Sequence, residues 1–331
     1  MSGRGQRAYA NARIRARRAA LLGPDALPAL RGLGGARALH QGFVALGLDP
    51  GDPLAFTRSL YARLGHDHAF VAALHPDRPA LFEALVAGHE AHNLALVHRS
   101  AVRGLSLERV LPLLRPVGAI TPESVGTATD AGERLSTVSV PAWKAPLEAT
   151  RRAHGEDPLA FELALDRIAT RALVDAASEA EDAAPLVLAL ARDRDLSLLS
   201  RGQPAFGLPA SAVVAGLCLL TEEHPVKVLT ALAEWTPADG PLAGRLPKTL
   251  RPSDTFPADW EALVDARARW LGRQCTLSFR RRPFGLSPSV AWLLLREAEV
   301  RALIALAEGA GLESAAARVD RKLYASALGA A

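Results

Sequence analysis

The hydrophobic positions along this chain fall in long runs of alanine and leucine that short turns interrupt. No stretch alternates apolar and polar residues over enough positions to predict a sheet. Alanine and leucine lose little side-chain freedom in a helix, so the runs predict helices. The first predicted helix covers residues 9–22 and stops at Gly23-Pro24, which a helix does not pass. The pattern therefore predicts an all-α protein of many helices joined by short turns.

Gly-Leu pairs mark the predicted ends of several helices. They begin at Gly104, Gly207, Gly285 and Gly311. Glycine accepts the left-handed backbone that follows a last turn, and the leucine can fold back onto that turn. Ser106 and Ser287 come directly after two of the pairs and are suited to cap the next helix. These signals predict helices in close succession.

Three of these glycines are evenly spaced, because 103 and 104 residues separate Gly104, Gly207 and Gly311. Each follows a segment that starts with acidic residues and continues as an apolar helix. Helices that carry arginine precede the second and third copies. The spacing predicts one helical unit repeated three times.

The predicted repeat divides the chain into three helical lobes. The first lobe, residues 1–120, holds the N-terminal helix and an insertion, the second covers residues 121–220, and the third covers residues 221–331. Residues 236–257 carry five prolines and two glycines, so this stretch is predicted to be a loop without persistent helix. It lies near the start of the third lobe.

Composition and charge narrow the classes of protein. The 331 residues are 49% hydrophobic and 22% charged, which excludes a disordered chain. Lysine and arginine total 39 against 35 acidic residues, a net charge of +4, and only four of the 39 are lysines. Six arginines between Arg4 and Arg18 are consistent with an arm that binds nucleic acid or an anionic membrane, or with a partly solvated helix face, which we favour.

Cysteine usage and hydropathy bear on the compartment. Cys218 and Cys275 are far apart, so neither a disulfide framework nor a thiolate metal site is predicted, and a reducing compartment is expected. No apolar run reaches the 18 to 20 residues or so that a membrane span needs. The N-terminus also lacks the apolar region of a secretory signal.

Common catalytic and nucleotide-binding motifs are missing from the sequence. There is no phosphate-binding loop, no dinucleotide-binding glycine pattern after a strand, and no serine nucleophile elbow. Three groups of acidic residues at the starts of repeat segments could pair for acid–base chemistry. They are Glu90, Asp193 with Asp195, and Glu297 with Glu299. The alternative, which we favour, is that they compensate helix dipoles or pair with arginines of neighbouring helices.

Histidine is enriched in the first 98 residues. Seven of the nine lie there: His40, His66, His68, His75, His89, His92 and His98. His89 and His92 are three residues apart on a predicted helix and could bind zinc together with His66 and His68, as in a metal-dependent enzyme. Their spacing does not match the metalloprotease pattern, so burial in a helical core is the stronger interpretation.

Four segments resemble a known family. They are residues 9–15 (YANARIR), 90–94 (EAHNL), 161–167 (FELALDR) and 294–301 (LLREAEVR). In this order and over nearly the whole chain, they resemble the C subunit of A-type and V-type ATPases, which is called subunit d in eukaryotic V-ATPases. The resemblance implies an all-helical funnel of three related helical-bundle domains.

The resemblance also implies a function. It implies a non-catalytic rotor subunit of the central stalk that couples the shaft to the membrane proteolipid ring for ion translocation, with no catalytic, cofactor-binding or metal-binding residues. The implied partners are the D-type and F-type shaft subunits and the proteolipid ring. The chain would be a monomer within a hetero-oligomeric complex, cytoplasmic and peripheral, touching the membrane only through the ring and binding no nucleic acid. The alternative from charge alone is a basic α-helical repeat protein that binds nucleic acid.

Overall fold

The computed structural model describes residues 3–19, 21–22, 26–33, 36–49, 51–121, 124–125, 141–251, 257–281 and 284–308. Most of these residues are helical and none of them lies in a strand, so the all-α prediction is confirmed. The helices are α1 (Gly3–Arg18), α2 (Ala26–Gly32), α3 (Ala36–Ala45), α4 (Pro53–Leu74), α5 (Pro79–Val102), α6 (Leu107–Val110), α7 (Pro141–His154), α8 (Pro158–Ala177), α9 (Ala184–Phe206), α10 (Ala210–Gly216), α11 (Leu219–Glu223), α12 (Val226–Ala233), α13 (Trp260–Arg281) and α14 (Ser287–Glu308).

Three times along the chain, two long helices follow one another in sequence: α4 and α5, α8 and α9, and α13 and α14. We call each such succession a helix pair. The first helix of each pair begins at Pro53, Pro158 and Trp260, at intervals of 105 and 102 residues. The second begins 105 and then 103 residues after its predecessor. This periodicity matches the interval between the glycines and extends it to whole elements.

The start of each pair carries the same cap. The carboxylates of Asp52, Asp157 and Asp259 accept backbone N–H groups three residues further on, at 2.7, 3.0 and 2.8 Å. An aspartate that accepts such bonds satisfies donors that the first turn leaves unpaired. Residues 52–56 and 157–161 both read DPLAF, a repeat that the spacing of the glycines alone does not reveal.

The predicted helix ends are confirmed at two positions and corrected at one. Gly104 and Gly207 have φ of +67° and +66°, the left-handed conformation that favours glycine. Gly285 does not adopt it; a Cβ there would lie 1.9 Å from a carboxylate oxygen of Asp182, so glycine is needed for close approach. Gly311 lies outside the described residues.

Two other predicted boundaries differ from the structure. Helix α1 ends at Arg18, before the predicted end at residue 22. Ser287 is the first residue of α14 rather than its cap, and a remote carboxylate receives its N–H. Residues 236–251 contain only three short 3₁₀ turns, so the predicted absence of persistent helix is confirmed there.

The chain forms two compact units. The second unit runs from Phe43 to Glu179, and the first unit combines the residues up to Gly42 with those from Ala180 onward. In the second unit α5 is buried over much of its length, with exposed residues such as Glu83 in its first turns, and packs along α8. In the first unit α14 is equally buried and packs against α13 and α1. The division into three lobes stays a prediction.

None of the described helices combines the length and the apolar character that a membrane crossing requires.

Candidate functional site

Helices α5, α7 and α8 of the second unit line an open groove of about 570 Å³. Buried alanines make much of its floor, among them Ala84, Ala87 and Ala169. The indole of Trp143, 3% exposed, forms part of the wall. Because alanine side chains are small, they leave space in which side chains of a partner could pack.

The rim of this groove is acidic. Glu83, Asp175 and Glu179 are exposed and make no ion pair among the described residues, and no lysine or arginine is among the lining residues. Asp175 and Glu179 lie at the carboxyl end of α8, where the helix dipole is already negative. The groove is therefore suited to a partner with positive charge at its edges.

At the inner end of the groove, Glu90 fixes the connection that follows α6. It is only 6% exposed, and its two oxygens accept the backbone N–H of Ala119 and the indole N–H of Trp143, each at 2.6 Å. Gly118, with φ of +82°, passes so close that a Cβ would lie 2.5 Å from the Glu90 carboxylate. The carboxylate thus holds a wall of the groove in place.

Asn93, one turn further along α5, holds the same connection. Its side chain is fully buried, and its Nδ2 donates to the carbonyl oxygens of Arg115 and Ile120, both at 2.7 Å. Its Oδ1 accepts the backbone N–H of Arg115 at 2.9 Å. The EAHNL segment that carries the resemblance therefore positions backbone.

Buried carboxylates also accept backbone N–H groups in α9 and α14, the second helices of the other two pairs. Asp195 in α9 accepts the backbone N–H groups of Cys218 at 3.1 Å and Leu220 at 2.8 Å. Burial raises the pKa of Asp195, and these backbone hydrogen bonds oppose the rise. Glu299 in α14 is fully buried, accepts the backbone N–H of Leu22 at 2.7 Å and pairs with Arg296. Asp195 binds the connection that returns along its own helix, whereas Glu299 binds the segment that follows α1.

The remaining members of the predicted acidic groups form ion pairs. Asp193 pairs with Arg267 of α13, and Glu297 pairs with Arg301 at 3.2 Å. Burial raises the pKa of Asp193, and the charge of Arg267 opposes that rise. The predicted pair with an arginine of a neighbouring helix is therefore confirmed for Asp193 alone among these residues. The arginine partners of Glu297 and Glu299 lie in the same helix as the glutamates. Glu90, Asp195 and Glu299 also accept backbone N–H groups.

The histidines do not assemble the hypothetical zinc site. Across the described residues, no three His, Cys, Asp or Glu side chains are grouped as metal ligands. His66 is exposed, whereas His68 and His89 are buried with their rings 6.4 Å apart. Burial, followed by the charges of Arg115 and Arg99, lowers the pKa of His92 to about 3, so this side chain is neutral at pH 7. The core interpretation holds for His68 and His89.

Two further histidines stack in the core of the second unit, while His40 is exposed. The ring of His98 lies 3.8 Å from that of Phe161, and its Nε2 donates to the Gly155 carbonyl at 3.0 Å. Burial lowers the pKa of His98 despite this hydrogen bond. His75 stacks on Phe82 with 5.5 Å between ring centroids.

The YANARIR segment lies in α1, where Ala10, Asn11 and Ile14 are buried. Asn11 donates from Nδ2 to the carbonyl oxygens of Arg7 at 3.0 Å and of Gly285 at 3.2 Å. These residues face the interior of the first unit and connect α1 to the start of α14. Like the EAHNL segment, they build the fold.

Sequence reasoning missed Asp182 and Phe279. Asp182 accepts the backbone N–H of Leu286 at 2.8 Å, across 104 residues, and also binds Ser287. The carbonyl oxygen of Phe279 accepts a hydrogen bond from Arg15, and the guanidinium group of Arg18 lies over the Phe279 ring. No local pattern marks either residue, because both act on elements that are distant in sequence.

Comparisons with protein-family models and with curated proteins find no match to this chain.

Proposed function

We propose that this chain is a non-catalytic rotor subunit in the central stalk of a V/A-type rotary ATPase, where it couples the shaft to the proteolipid ring. The supporting observation is the threefold recurrence of a long helix pair that begins at an aspartate cap. The proposal includes the three helical domains and the funnel that the resemblance implies. It also places the chain on the cytoplasmic side of the membrane, held there through the ring.

The structural roles of residues in the segments that carry the resemblance support a rigid subunit that transmits torque. Asn11, Glu90, Asn93 and Glu299 are buried and bind backbone groups of connections. Such residues give rigidity to a packed helical body, and close-packed interiors resist compression. A subunit that transmits torque needs this property.

The groove between α5, α7 and α8 provides a surface on which the proposal can be tested. Its apolar floor and charged rim have the general composition of a protein interface. We assign it to a shaft subunit that presents basic residues. Electrostatic complementarity of this kind raises association rates and makes them dependent on salt.

The test is co-expression of the chain with the shaft and proteolipid subunits of a V/A-type rotary ATPase from the same source, followed by affinity and size-exclusion chromatography. We expect one copy of the chain to elute with the shaft subunits and to bind detergent-solubilised ring. The double variant Glu83→Lys, Glu179→Lys should weaken shaft association at least about tenfold. Glu148→Lys, an exposed change on α7 outside the groove lining, is the matched control.

Two results would count against parts of this proposal in different ways. Failure to elute with shaft or ring, when those subunits assemble with one another, would remove the rotor function. Normal elution with equal behaviour of the groove and control variants would keep the function and remove the groove from the shaft interface.

A further inference from the structure

Arginines from two helix ends of the first unit gather around Phe279. The Arg15 Nη2 of α1 donates to the Phe279 carbonyl oxygen at 2.7 Å. The guanidinium carbon of Arg18 lies 4.3 Å from the centroid of the Phe279 ring. Arg280 is the next residue of α13. Two guanidinium groups of α1 therefore contact Phe279, and the charge of Arg280 is close enough to act on Arg18.

No carboxylate among the described residues forms an ion pair with these three arginines. Burial lowers the pKa of Arg18, and the charges of Arg280 and then Arg15 lower it further. Elsewhere in the first unit, Arg7 and Arg192 each pair with a glutamate. The cluster differs because its positive charges repel one another and, among the described residues, no carboxylate pairs with them.

We propose that Arg15, Arg18 and Arg280 form a binding site for a phosphate group, supplied either as free phosphate or as the headgroup of an anionic lipid. Guanidinium groups match phosphate oxygens because they present several N–H donors in one plane. The Phe279 carbonyl holds Arg15, and the Phe279 ring holds Arg18, so two of the three groups are already oriented. A bound dianion would remove the mutual repulsion.

The geometry favours a compact oxyanion over nucleic acid. Single-stranded nucleic acid is usually held by aromatic rings that are open for base stacking. Here Arg18 lies over the ring of Phe279, and Arg17 lies 5.9 Å from the ring of Trp292. Both aromatic faces are thus already in contact with guanidinium groups of α1.

A purely structural role makes a different prediction. Basic residues in the last turns of α1 and α13 interact favourably with the negative ends of the helix dipoles. That role needs no ligand, and the general stabilisation by phosphate as a kosmotropic salt would then be the same in wild type and in the arginine variants. Phosphate stabilisation that is lost in the arginine variants distinguishes the two.

The first experiment compares thermal unfolding of the full chain in sodium phosphate and in sodium chloride at matched pH and ionic strength. We expect a higher Tm in phosphate, rising with phosphate concentration as for a ligand of the native state. Arg18→Gln and Arg280→Gln should each weaken the apparent phosphate affinity about tenfold. Arg201→Gln is the matched control, since Arg201 stacks on Phe206 at 5.4 Å and lies outside the cluster.

Two checks keep the result interpretable. Circular dichroism of each variant establishes that the helices have formed, and Arg280 is exposed, so its variant tests the site even if Arg18→Gln unfolds. Arg18→Lys keeps the charge and loses the planar fork, so its affinity should fall between wild type and Arg18→Gln.

The second experiment identifies the source of the phosphate group. The chain is sedimented with phosphatidylcholine vesicles that contain or lack phosphatidic acid, with and without competing phosphate. Binding only to the acidic vesicles, lost in Arg280→Gln, assigns a lipid headgroup; phosphate stabilisation without vesicle binding assigns free phosphate. Equal Tm in both salts without vesicle binding, or equal losses in Arg201→Gln, would overturn the site. Tighter binding to duplex DNA than to vesicles, lost in the same variants, would replace the proposed ligand with nucleic acid.

Discussion

Replacing Asn93 with alanine should destabilise the second unit more than any single surface change. The substitution removes three hydrogen bonds at 2.7, 2.7 and 2.9 Å from a fully buried side chain. It leaves the carbonyl oxygens of Arg115 and Ile120 and the N–H of Arg115 without this partner. At about 1 kcal/mol for each net bond, with a further penalty for unpaired buried groups, we expect a loss of about 3 to 5 kcal/mol.

Hydrogen exchange of a peptide covering residues 111–121 measures this effect locally. A loss of about 3 kcal/mol corresponds to roughly a hundredfold faster exchange of the amides that open with the connection. Urea unfolding followed by circular dichroism gives the global value alongside it.

Asn11→Ala is the control, because Asn11 is the only other asparagine of the chain and lies in the first unit. It should leave exchange over 111–121 unchanged. A loss below about 1 kcal/mol for Asn93→Ala, or equal acceleration in both variants, would refute the structural role given to Asn93.

Three further changes test other parts of the structure. Gly65→Ala should lower the free energy of unfolding in urea by about 3 kcal/mol, because the new Cβ would lie 2.2 Å from the Pro116 carbonyl oxygen. Gly244→Ala is the control: its Cβ would have no neighbour within 4 Å, so the free energy of unfolding should change by less than about 1 kcal/mol. The pKa of His92 is lowered to about 3 from an ordinary 6.5, so between these pH values the unfolded chain binds a proton that the folded chain does not. The free energy of unfolding should therefore fall as pH falls from 6.5 towards 3, by up to about 1.4 kcal/mol per pH unit. His92→Gln should flatten this part of the pH profile. Burial raises the pKa of the Cys275 thiol to about 12, so Ellman's reagent at pH 8 should modify it only after unfolding in urea, and rapid modification of the native protein would contradict its burial.

Local signals account for the part of the fold that could be predicted from sequence. Three features depend mainly on neighbours in the chain: the helical class, the left-handed glycines at 104 and 207, and the loop over residues 236–251. The end of α1 at Arg18 was missed because alanine and leucine continue the helical pattern for four more residues. Propensity there is a weaker influence than the contacts of the connection that follows.

The candidate site was predicted far less completely. Glu90 could be identified as notable, but its partners Ala119 and Trp143 are 29 and 53 residues away. The groove itself depends on alanines whose pattern is ordinary for a helix. Three-dimensional packing, rather than a motif, brings the acidic rim and the apolar floor together.

The sequence shows the repeat at the helix ends, but it does not show the role of the acidic residues inside the helices. The placement of buried polar groups explains this difference. Glu90 and Asn93 come fourteen and eleven residues before Gly104, and Asp195 comes twelve before Gly207. At 1.5 Å per residue these positions lie about 16 to 21 Å from the helix end, where the returning connection crosses. Backbone groups buried at such a crossing need partners, and an apolar helix can supply them only through a polar side chain at that level. A carboxylate in the middle of an apolar helix is therefore accounted for by the path of the chain, and in α5 and α9 that path recurs with the helix pair.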